Sequence, residues 1–375
     1  MLIPLLGLIV LGLCGLGLLA ISTARVGVVA ELVGVGAALL PVGFVVAAFL
    51  WVDRWEPEPA SLLWLAFFWG ACVATLTALL IDNTAEAVGD VVLGHGNGDT
   101  LSAVVSAPVV EEAAKGVFVL GMLLWRRAEF HGIIDGIVYS GMCAAGFAFM
   151  ENIYYFGRAF DEYGLGTPSE AGVIQAFVLR GVFSPFTHPL FTAMIGIGLG
   201  IAAVTISRAL RVLAPLAGYL AAVVLHALWN GAATLGGAKV FLNVYFLIMV
   251  PIFIGAVLLV NWHRKREQRI VATALPTLAR DGLIELAEVD TLADLKGRRA
   301  RRAEVRRRSG RAAARAVAAY HDAVSELAFL RYYLKRGTAG PDAAARELKL
   351  LNVLRVNRGR AMRGVRVSHA RSHQH

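Results

Sequence analysis

Eight apolar runs, each long enough to cross a bilayer as a helix, occupy the first two thirds of this chain. A membrane-spanning helix needs about 20 consecutive apolar residues, because the hydrocarbon core is roughly 30 Å thick. The predicted spans lie near residues 2–21, 27–51, 60–81, 101–125, 132–156, 188–207, 213–235 and 240–262. Only 17% of the residues are charged, against about a quarter in soluble proteins. The sequence therefore predicts an all-α, polytopic helical membrane protein and excludes an ordinary water-soluble enzyme.

The positions of Lys and Arg predict how the chain is oriented, because cytoplasmic loops are enriched in these residues. With eight spans, eight of the flanking Lys and Arg lie on one side and four on the other. This split favours a cell-membrane protein with both termini in the cytoplasm. Residues 170–183 are also apolar but short, and a crossing there would move Arg126 and Arg127 to the outside. We therefore predict a re-entrant or interfacial segment at 170–183.

Charge also divides the chain into two parts. Residues 1–262 carry 10 Lys and Arg against 16 Asp and Glu, whereas residues 263–375 carry 26 against 11. We predict a transmembrane domain over 1–262 and a basic, helical cytoplasmic tail over 263–375. The basic residues favour attraction to the anionic inner leaflet. Nucleic-acid binding is the weaker alternative, since no recognised nucleic-acid fold or set of base-stacking aromatics accompanies them.

An amphipathic stripe in the tail predicts packing against another helix. It is formed by Val317, Tyr320, Val324, Leu327, Leu330 and Leu334. Docking of a cytosolic partner on this stripe is a further possible role of the tail.

Ionisable residues inside the predicted spans need a reason, because each costs about 2.5–3.5 kcal/mol at the centre of a membrane helix. In the fourth span Glu111 and Glu112 are adjacent, and Lys115 shares their helix face. Two neighbouring carboxylates in a low dielectric cannot both ionise easily, which favours a water-activating pair. The alternative is a neutralised ion pair that holds helices together.

Three other spans carry polar residues at a similar depth. These are Glu151 and Asn152 in the fifth span, His188 at the start of the sixth, and His226 and Asn230 in the seventh. Given eight spans, the two glutamates of the fourth span and these residues fall in the outer half of the bilayer. Independent structural pairs have no cause to share a depth. The pattern therefore favours a water-filled pocket that opens to the outside.

The fifth span also has a ridge of small residues, which predicts the close approach of another helix. The ridge repeats every fourth residue and consists of Gly132, Gly136, Ser140 and Ala144. Asp135 lies near the inner end of this span, and we expect it to play a structural role by pairing with Lys115.

Four short motifs follow one another along the chain: Glu111-Glu112-x-x-Lys115, Phe147-x-x-x-Glu151-Asn152, His188, and His226-x-x-x-Asn230. They resemble those of the PrsW family of intramembrane proteases, which looks related to the CAAX prenyl protease and bacteriocin-processing superfamily. The second motif ends in Glu151 where the wider superfamily has His. The resemblance covers roughly residues 40–262. It implies cleavage of a membrane-anchored protein near the outer half of the bilayer, for example an anti-sigma factor.

The residue types favour hydrolysis without a covalent intermediate. Glu111 or Glu112 is expected to activate a water as general base. His226 and Asn230 are expected to donate hydrogen bonds to the oxyanion. His188 is expected to position the water or protonate the leaving amine, and Glu151 to orient a histidine or share the proton.

The cofactor and the class of function both have alternatives at this point. For the cofactor, one alternative is zinc, with His188, His226 and Glu112 as ligands. The other alternative is a metal-free site in which glutamate activates the water. Buried carboxylates and histidines also mark proton-coupled transporters. The third possible function is that of a non-catalytic membrane scaffold that acts through its basic tail.

Overall fold

The computed structural model describes residues 2–337, 339 and 342–372. Every regular element in these residues is a helix, which confirms the predicted all-α class. The chain divides into two compact units. The first contains Met1–Asp53 and Glu58–Leu258, and the second contains Arg54–Pro57 and Leu259–His375.

Among the described residues, seven helices are long and apolar enough to cross a membrane, judged by length and composition. They are Gly7–Val26, Val28–Val52, Ala60–Leu93, Ile133–Tyr163, Val173–Val204, Arg208–Leu235 and Gly237–Arg280. The fourth predicted span lies in a further helical stretch over 98–125, which carries four charged residues at Asp99, Glu111, Glu112 and Lys115. The structure thus confirms a polytopic helical membrane protein.

Four of these stretches contain a π-helical turn, where the helix is locally wider. The turns are Trp69–Ala74, Ser102–Ser106, Val178–Phe183 and Tyr245–Met249. The α-helical parts beside them are Ala60–Phe68, Thr75–Leu93, Gly98–Leu101, Ala107–Trp125, Val173–Phe177, Gly237–Val244 and Val250–Arg280.

Two helices run well past their predicted ends. The third predicted span stops at residue 81 but its helix continues to Leu93, and the last stops at 262 but its helix continues to Arg280. A helix needs no apolar residues to continue, so the end of an apolar run is not the end of the helix. The chain instead leaves the helix where glycine takes a positive φ, at Gly94 (φ 95°) and Gly282 (φ 72°).

Residues 173–183, within the predicted re-entrant segment, are helical. A turn at residues 184–186 separates them from the helix Thr187–Val204. The re-entrant course of this segment stays a prediction.

The helix Ile133–Tyr163 lies at the centre of the first unit and is mostly buried. On its predicted ridge, a Cβ added at Gly136 would lie 2.0 Å from the backbone oxygen of Gly196 in the helix Thr187–Val204. A Cβ at Gly196 would lie 2.2 Å from the backbone oxygen of Gly136. The predicted close approach is therefore confirmed, and it brings the helix of Glu151 against the helix of His188.

Replacing Gly136 by Ala is expected to destabilise the first unit by about 1–3 kcal/mol, because two backbones must separate to admit the methyl group. Thermal unfolding can be followed with a thiol-reactive dye, since Cys72 and Cys143 are free and buried. The matched control is Gly36→Ala, whose Cβ meets nothing within 4 Å. Equal melting temperatures for the two variants would contradict this account of the helix contact.

The second unit has its own apolar core. The predicted stripe lies in it: Val324 and Leu327 are fully buried, and Val317, Tyr320 and Leu330 are nearly so. Leu334 does not follow the prediction, because it lies at the last turn of its helix and is 42% exposed. Trp55, from the short segment Arg54–Pro57, also belongs to this core and is 4% exposed. The tail is thus a folded unit rather than a set of exposed helices.

The helices that build this unit are the end of Val250–Arg280, then Val289–Ala293, Leu295–Lys335 and Ala343–Ser372. Arg298 is buried among them, and its guanidinium lies 5.2 Å from the centroid of the Trp55 ring. Burial, together with the charges of Arg298, Arg301 and Arg302, lowers the pKa of His321 to about 3. His321 is therefore neutral inside the folded tail at neutral pH.

Candidate active site

The helix Ala107–Trp125 places three charged side chains together in the interior of the first unit. Lys115 is fully buried, and its Nζ lies 2.6 Å from Glu112 Oε1 and 3.4 Å from Glu111 Oε2. The helix repeat produces this arrangement, because residues at i, i+3 and i+4 share one face. Phe147 covers the ammonium group, with Nζ 4.2 Å from its ring centroid.

His226 is held by a buried carboxylate. Its Nδ1 lies 3.1 Å from Glu112 Oε1, and its ring stacks on Phe191 at a centroid distance of 5.1 Å. Because Nδ1 contacts Glu112, the other ring nitrogen, Nε2, points away from Glu112. It lies 3.9 Å from Glu111 Oε2.

His188 is held in the same way by a different carboxylate. Its Nε2 lies 2.8 Å from Glu151 Oε2, and its Nδ1 lies 3.9 Å from Glu111 Oε2 and 3.4 Å from Lys115 Nζ. Each histidine therefore has one ring nitrogen on a carboxylate and the other near Glu111.

The two adjacent glutamates have different surroundings. Glu112 is fully buried, and its Oε1 meets Lys115 and His226 while its Oε2 accepts a hydrogen bond from Thr192 Oγ1 at 2.8 Å. Glu111 is 7% exposed and lines a cavity of about 540 Å³. Glu112 is thus saturated by neighbouring protein groups, whereas Glu111 is the member of the pair that reaches open space.

That cavity also contacts several other predicted site residues. Glu151, His188 and Asn230 line it, together with the acidic side chains of Asp82 and Glu86. Asn230 Nδ2 donates one hydrogen bond to the backbone oxygen of Ala103 at 2.8 Å, which leaves its second amide hydrogen for another acceptor.

A second cavity, of about 350 Å³, lies on another side of His188. Its lining is largely apolar and aromatic, and it includes Phe183, Phe241 and Tyr245. Trp229 and His188 line both cavities. The cluster is therefore accessible from one polar and one largely apolar space.

Arg180 is a site residue that the sequence did not identify. It comes from the π-helical turn Val178–Phe183, and its guanidinium donates to Glu151 Oε2 and, from Nε, to Asn152 Oδ1 at 2.7 Å. It also lies 4.0 Å from the ring centroid of Tyr155. The sequence shows Arg180 as a charged residue within the apolar stretch 170–183. Its partner Glu151 is 29 positions away, so local sequence could not predict the pairing.

Thr192, which bonds Glu112, was also missed as a site residue. It lies one helical turn after His188, so its position on that face was a local signal.

Asp135 has a structural role, as predicted, but Lys115 is not its partner. It caps its own helix by accepting hydrogen bonds from the backbone nitrogens of His131 and Gly132. Lys115 pairs with Glu111 and Glu112 instead. The physical reason is that Asp135 is the third residue of the helix Ile133–Tyr163, where backbone N–H groups have no partner within the helix.

The donor set of the cluster fits a metal ion. One ligand atom from each of Glu111, Glu112, His188 and His226 lies within 4.8 Å of the others. Two imidazoles and a carboxylate are a common protein ligand set for catalytic zinc. Metal-bound histidines also typically place their second nitrogen on a carboxylate, which both histidines do here.

Comparison with known proteins also leads to a family of metalloproteases. The family model described as PrsW family intramembrane metalloprotease matches residues 58–256, slightly more than half of the chain. The chain is 26% identical over 166 residues to the protein named Protease PrsW of Geobacillus kaustophilus (strain HTA426). It is 28% identical over 166 residues to the protein of the same name from Bacillus subtilis (strain 168).

These matches cover 44% of this chain, 65% of the Geobacillus protein and 67% of the Bacillus protein. The match to the first relative therefore spans just under two thirds of its length. No solved structure matches the chain.

Proposed function

Because this chain belongs to the PrsW family of intramembrane metalloproteases, we propose that its buried Glu and His cluster hydrolyses a peptide bond of a membrane-anchored protein. One observation carries the proposal. His188 and His226 are each fixed by a carboxylate, and each places its other ring nitrogen 3.9 Å from Glu111, the glutamate that lines the cavity. A purely structural ion pair does not require two oriented histidines.

We assign the proton chemistry to Glu111. It is the carboxylate of the pair that lines the cavity, so it can accept a proton from an attacking water. The same proton then passes to the leaving amine as the C–N bond breaks. Glu151 orients His188, which would hold the metal beside this water. The free amide hydrogen of Asn230 points to a role as donor to the oxyanion.

Of the two roles that the sequence allowed for His226, oxyanion donor or metal ligand, we propose the second. It is 1% exposed and stacked on Phe191, and its ligand atom lies within 4.8 Å of that of His188, so we assign it to holding the metal with His188. A bound zinc supplies a Lewis acid that polarises the scissile carbonyl and lowers the pKa of water. Glu112 and Lys115 hold His226 and balance the charge of the cluster.

We infer that the termini are cytoplasmic and that the cut lies in the outer half of the bilayer. The loop Arg54–Pro57 shares one unit with the tail, so the two lie on the same side of the membrane. An even number of crossings must separate them. The intervening chain has five of the helices that are long and apolar enough to cross, plus the stretch 98–125, so 98–125 crosses too.

The substrate class follows from the location and the family. A single-span protein can present its outer juxtamembrane segment to the cluster from within the bilayer. The family resemblance makes an anti-sigma factor the substrate of first choice. The tail, with its excess of Lys and Arg, is inferred to face the anionic inner leaflet.

The proposal is tested by mapping protein N-termini in membranes from cells that contain the wild-type chain or Glu111→Gln. New N-termini inside membrane proteins, present only with the wild type, are expected. Identical N-termini in the two samples, with proton uptake by proteoliposomes of the wild type, would establish the transporter reading instead.

Arg180→Gln is expected to reduce cleavage about 10- to 100-fold, the usual effect of losing a group that orients a metal ligand. Without the guanidinium, Glu151 loses the partner that fixes it against His188. The control is Arg158→Gln, which removes an exposed pair with Glu162. Cleavage rates and melting temperatures should be compared, and equal rates in the two variants would exclude this role of Arg180.

A further inference from the structure

The second unit contains a basic cleft that is separate from the Glu and His cluster. The helix Leu295–Lys335 is interrupted at Gly310, whose φ of 84° and ψ of −179° are not helical. The two halves contact each other, since Arg298 Nη1 donates to Ser325 Oγ at 2.6 Å and to the backbone oxygen of His321 at 3.3 Å. Near the break lies a cleft of about 830 Å³.

Six arginines and two alanines line this cleft. The arginines, which together are called the arginine cleft here, are Arg299, Arg302, Arg306, Arg307, Arg311 and Arg315. All six are exposed. They come from both halves of the helix, so the break at Gly310 brings two rows of positive charge to one concave space.

Carboxylates are few around the arginine cleft. In the part of the chain that the structure describes, the charge of Arg299 acts on Asp294 and that of Arg302 acts on Asp322, in neither case through an ion pair. Glu304 is the one acidic residue between positions 295 and 321. It pairs with Arg308 at 2.9 Å and Arg301 at 3.7 Å, which do not line the cleft. Among the described residues, none of the six lining arginines forms an ion pair with Asp or Glu.

A bound anion would relieve repulsion among these arginines. Like charges at i and i+4, such as Arg302 and Arg306 or Arg311 and Arg315, repel each other on a helix. A solvated basic face lowers this repulsion by spreading its charges, whereas the six arginines of the cleft share one concave space. Guanidinium groups donate in a planar fork that matches phosphate oxygens.

We propose that the arginine cleft is a binding site for a ligand with clustered phosphate groups. Its volume is in the range of small-ligand pockets, about 300–1,000 Å³. No aromatic side chain lines it, so it lacks the stacking platforms on which single-stranded nucleic acids bind. The ligand is either a phosphorylated lipid headgroup or a soluble polyphosphate, which offer the same chemistry.

The test uses the full-length protein in zwitterionic nanodiscs, with tripolyphosphate as the probe in a titration. The variant Arg302→Gln/Arg306→Gln/Arg311→Gln is expected to weaken binding about tenfold or more, as the loss of several phosphate contacts does. The control Arg301→Gln/Arg308→Gln/Arg355→Gln removes the same charge outside the cleft and should bind nearly as the wild type does. Circular dichroism of both variants checks that the tail remains helical.

Nanodiscs that contain anionic lipid distinguish the two sources of phosphate. Loss of tripolyphosphate binding in these discs identifies lipid headgroups as the occupant, and unchanged binding identifies a soluble ligand. Equal weakening in the two triple variants would overturn the site, since it would show diffuse attraction. So would the absence of tripolyphosphate binding in zwitterionic discs, or tighter binding of duplex DNA that both triple variants weaken equally.

Discussion

Replacing Glu111 by Gln is expected to abolish cleavage while leaving the fold intact. The amide keeps the shape of the side chain but cannot accept the proton of the attacking water. The loss of a general base typically lowers the rate about 10²- to 10⁴-fold. Because Glu111 is the member of the pair that lines the cavity, and its contact with Lys115 is long at 3.4 Å, the melting temperature should change little.

Glu112→Gln should behave differently. Lys115 is fully buried and has its shortest ion pair, 2.6 Å, with Glu112. Removing one partner of a buried pair costs about 3–5 kcal/mol, and Lys115 would keep only its longer contact with Glu111. We therefore expect Glu112→Gln to lose both activity and thermal stability.

The two variants can be compared by cleavage of a membrane-anchored reporter and by thermal unfolding in detergent. Glu86→Gln is the control, because Glu86 lines the same cavity as Glu111 but is not part of the cluster. It should retain activity. Full activity in both Glu111→Gln and Glu112→Gln would overturn the assignment of the site.

The second large effect concerns metal. The purified wild-type protein is expected to hold about one zinc ion per chain, and His188→Ala and His226→Ala are expected to lose it together with activity. Elemental mass spectrometry of the detergent-purified protein measures this directly. Removing the metal with a chelator should abolish cleavage, and added zinc should restore it.

His95→Ala is the matched control, because His95 is exposed and outside the cluster. It should keep both metal and activity. An active wild-type sample with little or no metal would assign the chemistry to glutamate-activated water instead. Glu111 would then keep its role, whereas the two histidines would orient the water and the carboxylates.

Much of the site could be predicted from local sequence. Glu111, Glu112 and Lys115 lie within one and a half helical turns, so the helix repeat alone places them on one face. The same holds for the small-residue ridge around Gly136, since a helix presents every fourth residue to the same neighbour. The apolar runs and the family motifs likewise fixed the all-α membrane class.

The sequence could not show which histidine meets which carboxylate. His226 meets Glu112 from 114 positions away, and His188 meets Glu151 from 37 positions away. The roles of Arg180 and Trp55 could not be predicted for the same reason, because each contacts residues that helix packing brings to it. The predicted partner of Asp135 was wrong, because its side chain accepts hydrogen bonds from the local backbone instead of reaching Lys115.

The sequence by itself determined the elements of this protein and the residue types of its site. These are the membrane helices, a doubled glutamate with a lysine, two histidines, and a basic tail. Tertiary structure decided the rest, including the difference between Glu111 and Glu112, the orientation of the two imidazoles, and the burial of Trp55 in the second unit. The physical reason is that hydrophobicity and helix periodicity act over a few neighbouring residues and can be read from the sequence. Contacts between helices depend on the packing of whole surfaces that are far apart in the chain.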